Sequence, residues 1–591
     1  MGKGSRKSLR ASVAWIVTLG VACGGGRGDA ASAAVASPPP PVEPAGSPPR
    51  EVQTTVRGIL DSGRHEMLAW PDASRLLPDL RALYAAEPDG LFWFAQGSAH
   101  PALDDALEAI ARCDTMGLVP ADYDAATLGK LWGAVGSPGA GASLADRAAF
   151  DVALTISSMR LLQSARWGRV DPRLVGFDYD VTSKRIDLAA ALRAARDSGG
   201  LAAAVAAAEP QFPVYRRLLK AWADYRAIAA TEPPQVPALA GGQRKVEPSR
   251  PWSGVPALAA RLRALGDLPA DAAAPPTAPD GAPLYAGALV EAVKRFQHRH
   301  ALEPDGVLGT GTLDRVNVPA ARRVRQIELA LERERWLPEM RREPHIFVNV
   351  PLFRLWGFDP DRPDEPLRMN VVVGKTLGHA TPIFVEEMEY VVFRPYWNPP
   401  PSIVRLEIVP KARGDAGYLA GQNMEIVARG DVDAPALPAT PENLDQALAG
   451  KLFIRQKPGE KNALGAAKFI FPNDENVYMH GTPAQSLFAR ARRDFSHGCI
   501  RLEDPARLAE WVLRDNPEWT RERIDAAMRG ERPTQVNLKN RLTVFLFYDT
   551  AYVDSKGLVH FADDYYGHDA RLEKALAHGY PYPRKEGGDA R

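Results

Sequence analysis

The chain has 591 residues, too many for one hydrophobic core and enough for about three or four domains. Its composition, 45% hydrophobic and 25% charged, is that of a globular protein and sets aside a wholly disordered chain. Basic and acidic residues nearly cancel, 73 against 72, so the net charge of +1 gives no electrostatic reason to expect nucleic acid as a partner.

The N-terminus reads as an export signal. Lys3, Arg6, Lys7 and Arg10 precede "ASVAWIVTLGVA", an apolar run too short to span a bilayer comfortably. Cys23 follows small residues at the end of that run, an arrangement that resembles a lipoprotein signal with an acylated cysteine. Gly20 stands where such signals carry a large aliphatic residue, and cleavage after Ala36 is the rival. Both predict an exported, periplasmic or envelope protein, the first with a membrane anchor at Cys23. Residues 24–52 are rich in Gly, Ala, Ser and Pro and read as a tether.

From 53 to 245 the apolar spacing is helical, in "LLPDLRALYAA", "ALDDALEAIARCDTMGL", "RAAFDVALTISSMRLLQSARWG" and "VYRRLLKAWADYRAIAA". Cys113 lies in this region and reads as a small core residue. A Pro/Gly-rich boundary precedes a smaller unit at 250–319, with an apolar face at Leu289, Ala292, Val293 and Phe296 and a tight turn in "DGVLGTGTL". Residues 320–342 form a charged connecting helix with a stripe at Val324, Ile327 and Leu331. The period then changes. "HIFVNVPLFRLWGFD", "RMNVVVGK", "EYVVFRPYWNPP", "NVYMHGT" and "TVFLFYDTAYV" are β-branched and aromatic runs, so 343–550 is expected to be mostly β. Within it, 401–465 is too long and mixed for a hairpin loop and reads as an inserted subdomain or lid. Residues 551–591 form a C-terminal segment.

The chemistry gathers around "SHGCIRLEDP", 496–505. A free thiol has a pKa of about 8.5, so a nucleophilic cysteine needs a base or a cation beside it. His497 is close in sequence; His480, in "VYMHGTP", would come from a separate strand. Gly481 and Gly498 allow close backbone approach. The amides of Gly498 and Cys499 could face an oxyanion, and Arg501 could hold a carboxylate or brace the loop. Two other readings stand beside the nucleophile: a zinc site, against which the absence of a paired C-x-x-C counts, and a buried cysteine next to a loop histidine.

"HGT" at 480–482 followed by "SHGCIRL" at 496–502 resembles the active-site signature of the YkuD-type L,D-transpeptidases. "FVNVPLFRL", "VVVGK", "TPIF", "PYWNPPPSI" and "LGAAKFIFPNDENVYMHGTP" are similar to the large multidomain members. The unit at 250–319 is similar to a three-helix peptidoglycan-binding module. Residues 53–245, with "GLVPADY" and "ARWGRVDP", resemble the family's scaffold domain, and "DDYYGHD" its C-terminal segment. The fold this implies is a mostly α N-terminal half followed by a β-rich catalytic domain with an inserted lid.

The resemblance implies that Cys499 attacks a tetrapeptide stem of peptidoglycan, that D-alanine leaves, and that an amine of a second stem resolves the thioester into a 3→3 cross-link. His480 is then the base, and its protonated form pairs with the thiolate. His497 and Gly498 shape the loop and the oxyanion site. Arg501, Gly481, Ser496, Trp397 and Tyr478 line the substrate cleft. No metal or other cofactor is called for. The same acyl-enzyme would serve an L,D-carboxypeptidase or the attachment of a protein to peptidoglycan. A non-catalytic wall-binding lipoprotein is the alternative without chemistry.

Overall fold

The computed structural model describes residues 48–136, 141–239, 241–339, 342–363, 366–428 and 434–582. The export signal, Cys23 and most of the tether lie outside the described residues. No helix among the described residues is long and apolar enough to cross a membrane.

Helix α1 (Arg50–Ser62) opens inside the stretch read as tether, with Pro49 at its N-cap and Val52, Val56 and Leu60 forming one buried stripe. Helices α2 (Leu77–Tyr84), α3 (Ala102–Ala111), α4 (Ala125–Val135), α6 (Leu188–Asp197) and α7 (Gly200–Ala208) pack with it around the long α5 (Leu144–Trp167). Helix α5 is buried along most of its length, because "FDVALTISSMRLL" offers no charged face. Two of its buried polar side chains, Asp151 and Thr155, are paired with groups from other segments. Asp151 accepts from Tyr84 Oη (2.6 Å) and from the amides of Phe92 (3.1 Å) and Trp93 (2.6 Å), while Thr155 Oγ1 accepts from Trp93 Nε1 (3.0 Å). Ser143 and Asp146 close a capping box at its start.

Helix α8 (Pro213–Ala230) leaves this core. Its Tyr215, Leu218 and Trp222 pack instead on Ile327 and Leu331 of a later helix, α12 (Ala320–Glu334). Between them α9 (Val255–Ala264), α10 (Ala288–Arg299) and α11 (Thr310–Val316) build the three-helix unit around Leu258, Leu262, Val293, Phe296 and Leu313. Gln297 locks its turn: Nε2 donates to Asp305 Oδ1 and the Val307 carbonyl, both 2.9 Å, and Oε1 accepts from the Gly306 amide at 2.8 Å.

Helix α12 is the joint of the molecule. Buried Glu332 accepts from the amides of Arg169 and Val170 and from Arg169 Nε (3.1 Å), pinning the "ARWGRVDP" turn. Gly168, at φ +83°, is required there, because a Cβ would fall 2.7 Å from Trp336 Nε1 and 2.8 Å from Glu332 Oε1.

The C-terminal half is built on a 10-stranded sheet. A short strand of the helical half, β1 (Phe177–Asp178), adds in parallel to β5 at Ile383. The others are β2 (His345–Asn349), β3 (Arg354–Phe358), β4 (Leu367–Gly374), β5 (Ile383–Phe393), β8 (Ala467–Ile470), β9 (Met479–His480), β10 (Asp494–Ser496), β11 (Ile500–Leu502) and β12 (Thr534–Phe547). The order is β8-β9-β11-β4-β3-β2-β12-β5-β1, with β10 beside β4. A further pairing of β5 with β8, Tyr390 opposite Ile470 through Phe393 opposite Ala467, closes the sheet into a barrel. The insertion expected at 401–465 has its own core: Val404, Ile408 and Leu419 pack on Ile426 and Ile454 of a hairpin, β6 (Met424–Ala428) with β7 (Leu452–Gln456), and on Leu444. After β12, the hairpin β13 (Ala551–Val553) with β14 (Val559–Phe561) packs on α8 and α12.

Candidate active site

Three strands set the site. Lys468 of β8 stands opposite His480 of β9, and His480 stands opposite Arg501 of β11. Alternation along the strands then divides their residues between two faces. Ala467, Phe469, Met479, Ile500 and Leu502 point into the barrel core and are fully buried. Lys468, Tyr478, His480, Cys499 and Arg501 fall on the other face. "VYMH" and "CIRL" are two short copies of the same apolar-and-chemical alternation.

Cys499 is partly exposed at the mouth of this face. Its Sγ lies 3.9 Å from the carbonyl of Asn476, in a turn that Asn473 holds by bonds to Phe471 and Val477. Burial pushes the thiol pKa up; the Tyr478 amide, the Lys468 charge, the Tyr478 hydroxyl and the Arg501 charge pull it back, in that order.

His480 is buried. Its Nδ1 donates to the Gly481 carbonyl at 2.5 Å, which leaves Nε2 as the acceptor. Burial first, then the charges of Arg501 and Lys468, bring its pKa down to about 3. The resting imidazole is therefore neutral. The paired imidazolium and thiolate implied by the family resemblance do not describe this state, because two cations already flank the ring. Gly481 is held beside it by its amide bond to the Ala467 carbonyl (3.0 Å).

The 496–499 loop is braced from within. Ser496 Oγ donates to the Cys499 carbonyl (2.5 Å) and accepts from the Gly498 amide (3.2 Å). This corrects two expectations. Ser496 is buried with its hydroxyl engaged in the loop, so it is not a cleft-lining group. The Gly498 amide is already bonded, which leaves the Cys499 amide as the loop's candidate oxyanion donor. Gly498 itself sits at φ +114°, a conformation that favours glycine.

His497 turns away from β9. Its Nε2 meets Glu407 of the insertion at 2.8 Å, and its ring stands 4.6 Å edge-on to His379. Trp397 lies at the root of the insertion, bridged to Gln456 and packed on the insertion's core. Arg501 is half-buried, and its Nε has no hydrogen-bond partner.

The structure adds three residues that the sequence reading had not named. Thr381 Oγ1 donates to the Gly498 carbonyl (2.8 Å) and accepts from the Gly374 amide (2.9 Å). Tyr566 Oη donates to the Gly374 carbonyl (2.6 Å). They lie in "TPIF" and "DDYYGHD", so those motifs brace the catalytic loop. Lys468, in "AKFIF", is the third; its place on the chemical face was signalled by alternation. Among the described residues no group of three or more His, Cys, Asp or Glu side chains is placed to hold a metal ion.

The family described as "L,D-transpeptidase catalytic domain" (YkuD) matches residues 343–536. Residues 343–536 are thus similar to a YkuD-type catalytic domain. A "Scaffold domain" matches 78–221, and a "Putative peptidoglycan binding domain" matches 253–316. A protein of Haemophilus influenzae named "Putative L,D-transpeptidase" is 32% identical over 231 residues, 39% of this chain and 45% of that protein. The chain thus matches a little under half of that relative's length. Among solved structures, residues 123–326 of the L,D-transpeptidase from Xylanimonas cellulosilytica are matched over the whole of that solved chain and 52% of this one, at 12% identity and a TM-score of 0.16.

Proposed function

We propose that the chain is an exported L,D-transpeptidase that forms 3→3 cross-links in peptidoglycan by acyl transfer through Cys499. The observation that carries this reading is the shared face of Cys499, neutral His480, Tyr478 and two cations at the rim of the YkuD-type barrel. In the first step His480 Nε2 accepts the thiol proton, and Sγ attacks the carbonyl of the third stem residue. The Sγ–C bond forms, the C–N bond to the terminal D-alanine breaks, and His480 returns its proton to the leaving amine. In the second step His480 takes a proton from the acceptor amine as that amine attacks the thioester; the C–N bond forms, the Sγ–C bond breaks, and His480 returns the proton to Sγ. The Cys499 amide faces the developing oxyanion. Arg501 binds a stem carboxylate, and Trp397 and Gly481 border the cleft.

Water would turn the same thioester into a carboxypeptidase product. The insertion, which reaches the catalytic loop through Glu407, is suited to act as a lid that favours the amine. The three-helix module would hold the enzyme on its polymer. A peptidoglycan substrate places this chemistry outside the cytoplasm, and a lipid on Cys23 would anchor it there. The test is a product assay with a disaccharide-tetrapeptide, with and without a second stem as acceptor. Cross-linked dimers support the proposal; tripeptide alone in both tubes replaces it with the hydrolase.

A further inference from the structure

Lys468 stands out on the chemical face. Its half-buried ammonium sits 4.0 Å above the ring of Tyr478, and no carboxylate pairs with it among the described residues. A half-buried cation without an acidic partner is costly to keep. The opposite charge acting on it is Cys499, which is also the opposite charge acting on Arg501. The register puts the two cations on strands either side of His480. Tyr478, whose ring carries the Lys468 ammonium, lies on the same face, its ring 5.7 Å from that of His480.

We propose that Lys468 is a positioning residue for the nucleophile: its ammonium, with Arg501 across the face, carries the charge of the Cys499 thiolate, while His480 only relays the proton. This extends the transfer mechanism above but stands on geometry that needs no substrate. His480 is poorly suited to the charge-bearing role, since its ring is buried between two cations. The groups on the thiol's face are Lys468 from β8, Tyr478 just before β9, His480 from β9 and Arg501 from β11. His497 is engaged with Glu407 and His379 instead. A cation near a thiolate lowers its pKa and raises the reactive fraction at neutral pH.

The test is the pH dependence of Cys499 alkylation by iodoacetamide in the full chain, read by peptide mapping so that Cys113 does not interfere. Wild type, Lys468→Met, Lys468→Arg and His480→Gln are compared, each checked for an intact thermal transition. Lys468→Met is expected to raise the alkylation midpoint by about one pH unit and slow alkylation at pH 7 about tenfold. Lys468→Arg should restore most of it, and His480→Gln should leave the midpoint in place. An unmoved midpoint in folded Lys468→Met would overturn the proposal. So would a midpoint that follows His480 instead, or a Lys468→Met defect confined to KM, which would make Lys468 a substrate contact. Alkylation involves no stem peptide. A shifted midpoint without any transfer activity would therefore refute the transpeptidase reading and leave the role of Lys468 standing.

Discussion

Cys113 and Cys499 occupy opposite surroundings in one molecule. Cys113 is fully buried in the scaffold core, just beyond the end of α3. Burial first, then Asp114 and Asp122, push its thiol up to about 12. Cys499 is also raised by burial, yet an amide, a hydroxyl and two cations work against that rise. The same contrast runs through the two neighbourhoods. In the scaffold core, polar groups such as Asp151 are matched by donors. At the rim of the barrel, Lys468 and Arg501 have no acidic partner among the described residues. Burial alone makes a cysteine inert; a nucleophile needs unmatched charge kept beside it, and a stable core does not supply that.

The sharpest way to break this comparison is to exchange the cysteines' fates. Cys499→Ala is expected to remove turnover, by at least about a thousandfold, whereas Cys113→Ala should keep it within about twofold; initial rates on a disaccharide-tetrapeptide check both. His480→Gln comes next, with kcat lower by about a hundredfold or more, in line with the loss of a general base.

Stability should divide in the opposite way. Asp151→Ala leaves the Phe92 and Trp93 amides and the Tyr84 hydroxyl unpaired in the core and should cost about 3 kcal/mol, measured by denaturant unfolding. Lys468→Met removes an unmatched ammonium and should leave the melting temperature unchanged or higher.

Acid sharpens the same contrast through His480. Its folded pKa, about 3, lies below the unfolded value of 6.5. Above about pH 6.5 both states are neutral and nothing changes. Between there and about pH 3 only the unfolded chain takes up the proton, so His480 makes stability fall as pH falls, by up to about 1.4 kcal/mol per unit. Melting temperatures of wild type and His480→Gln at pH 7.5 and 5 should converge on acidification if the wild type starts higher; parallel curves would remove His480 as the source. The smallest effect is expected from Glu407→Gln. Losing the contact with His497 should raise KM about two- to fivefold and speed hydrogen exchange across 401–414.

Much of this site was legible because strand alternation and motif coincide. "VYMH" and "CIRL" name both the chemical residues and the core residues behind them. The change of period from helical to β-rich in the C-terminal half also carried through, as a barrel. Other features lay beyond reach for physical reasons. Thr381 and Tyr566 reach the loop from a loop and a turn far along the chain, and such contacts leave no local period. Strand β1 is two residues long, too short for a pattern, yet it joins the helical half to the barrel. Glu332 and Arg169 look like surface charges on a helix and a turn until the fold buries them against each other. Ser496 read as a cleft residue because it stands beside His497 and Cys499 in the motif; its hydroxyl faces its own loop instead.

The central claim is that Cys499 carries the acyl group. Its most direct test is intact-protein mass spectrometry of the exported form with a disaccharide-tetrapeptide, followed by mapping of the modified peptide. The account predicts an adduct of the stem less D-alanine on the peptide that holds Cys499, absent in Cys499→Ala and unaffected by Cys113→Ala. Folded wild-type protein that turns over substrate without an adduct at Cys499, or that carries the adduct on another residue, would contradict it.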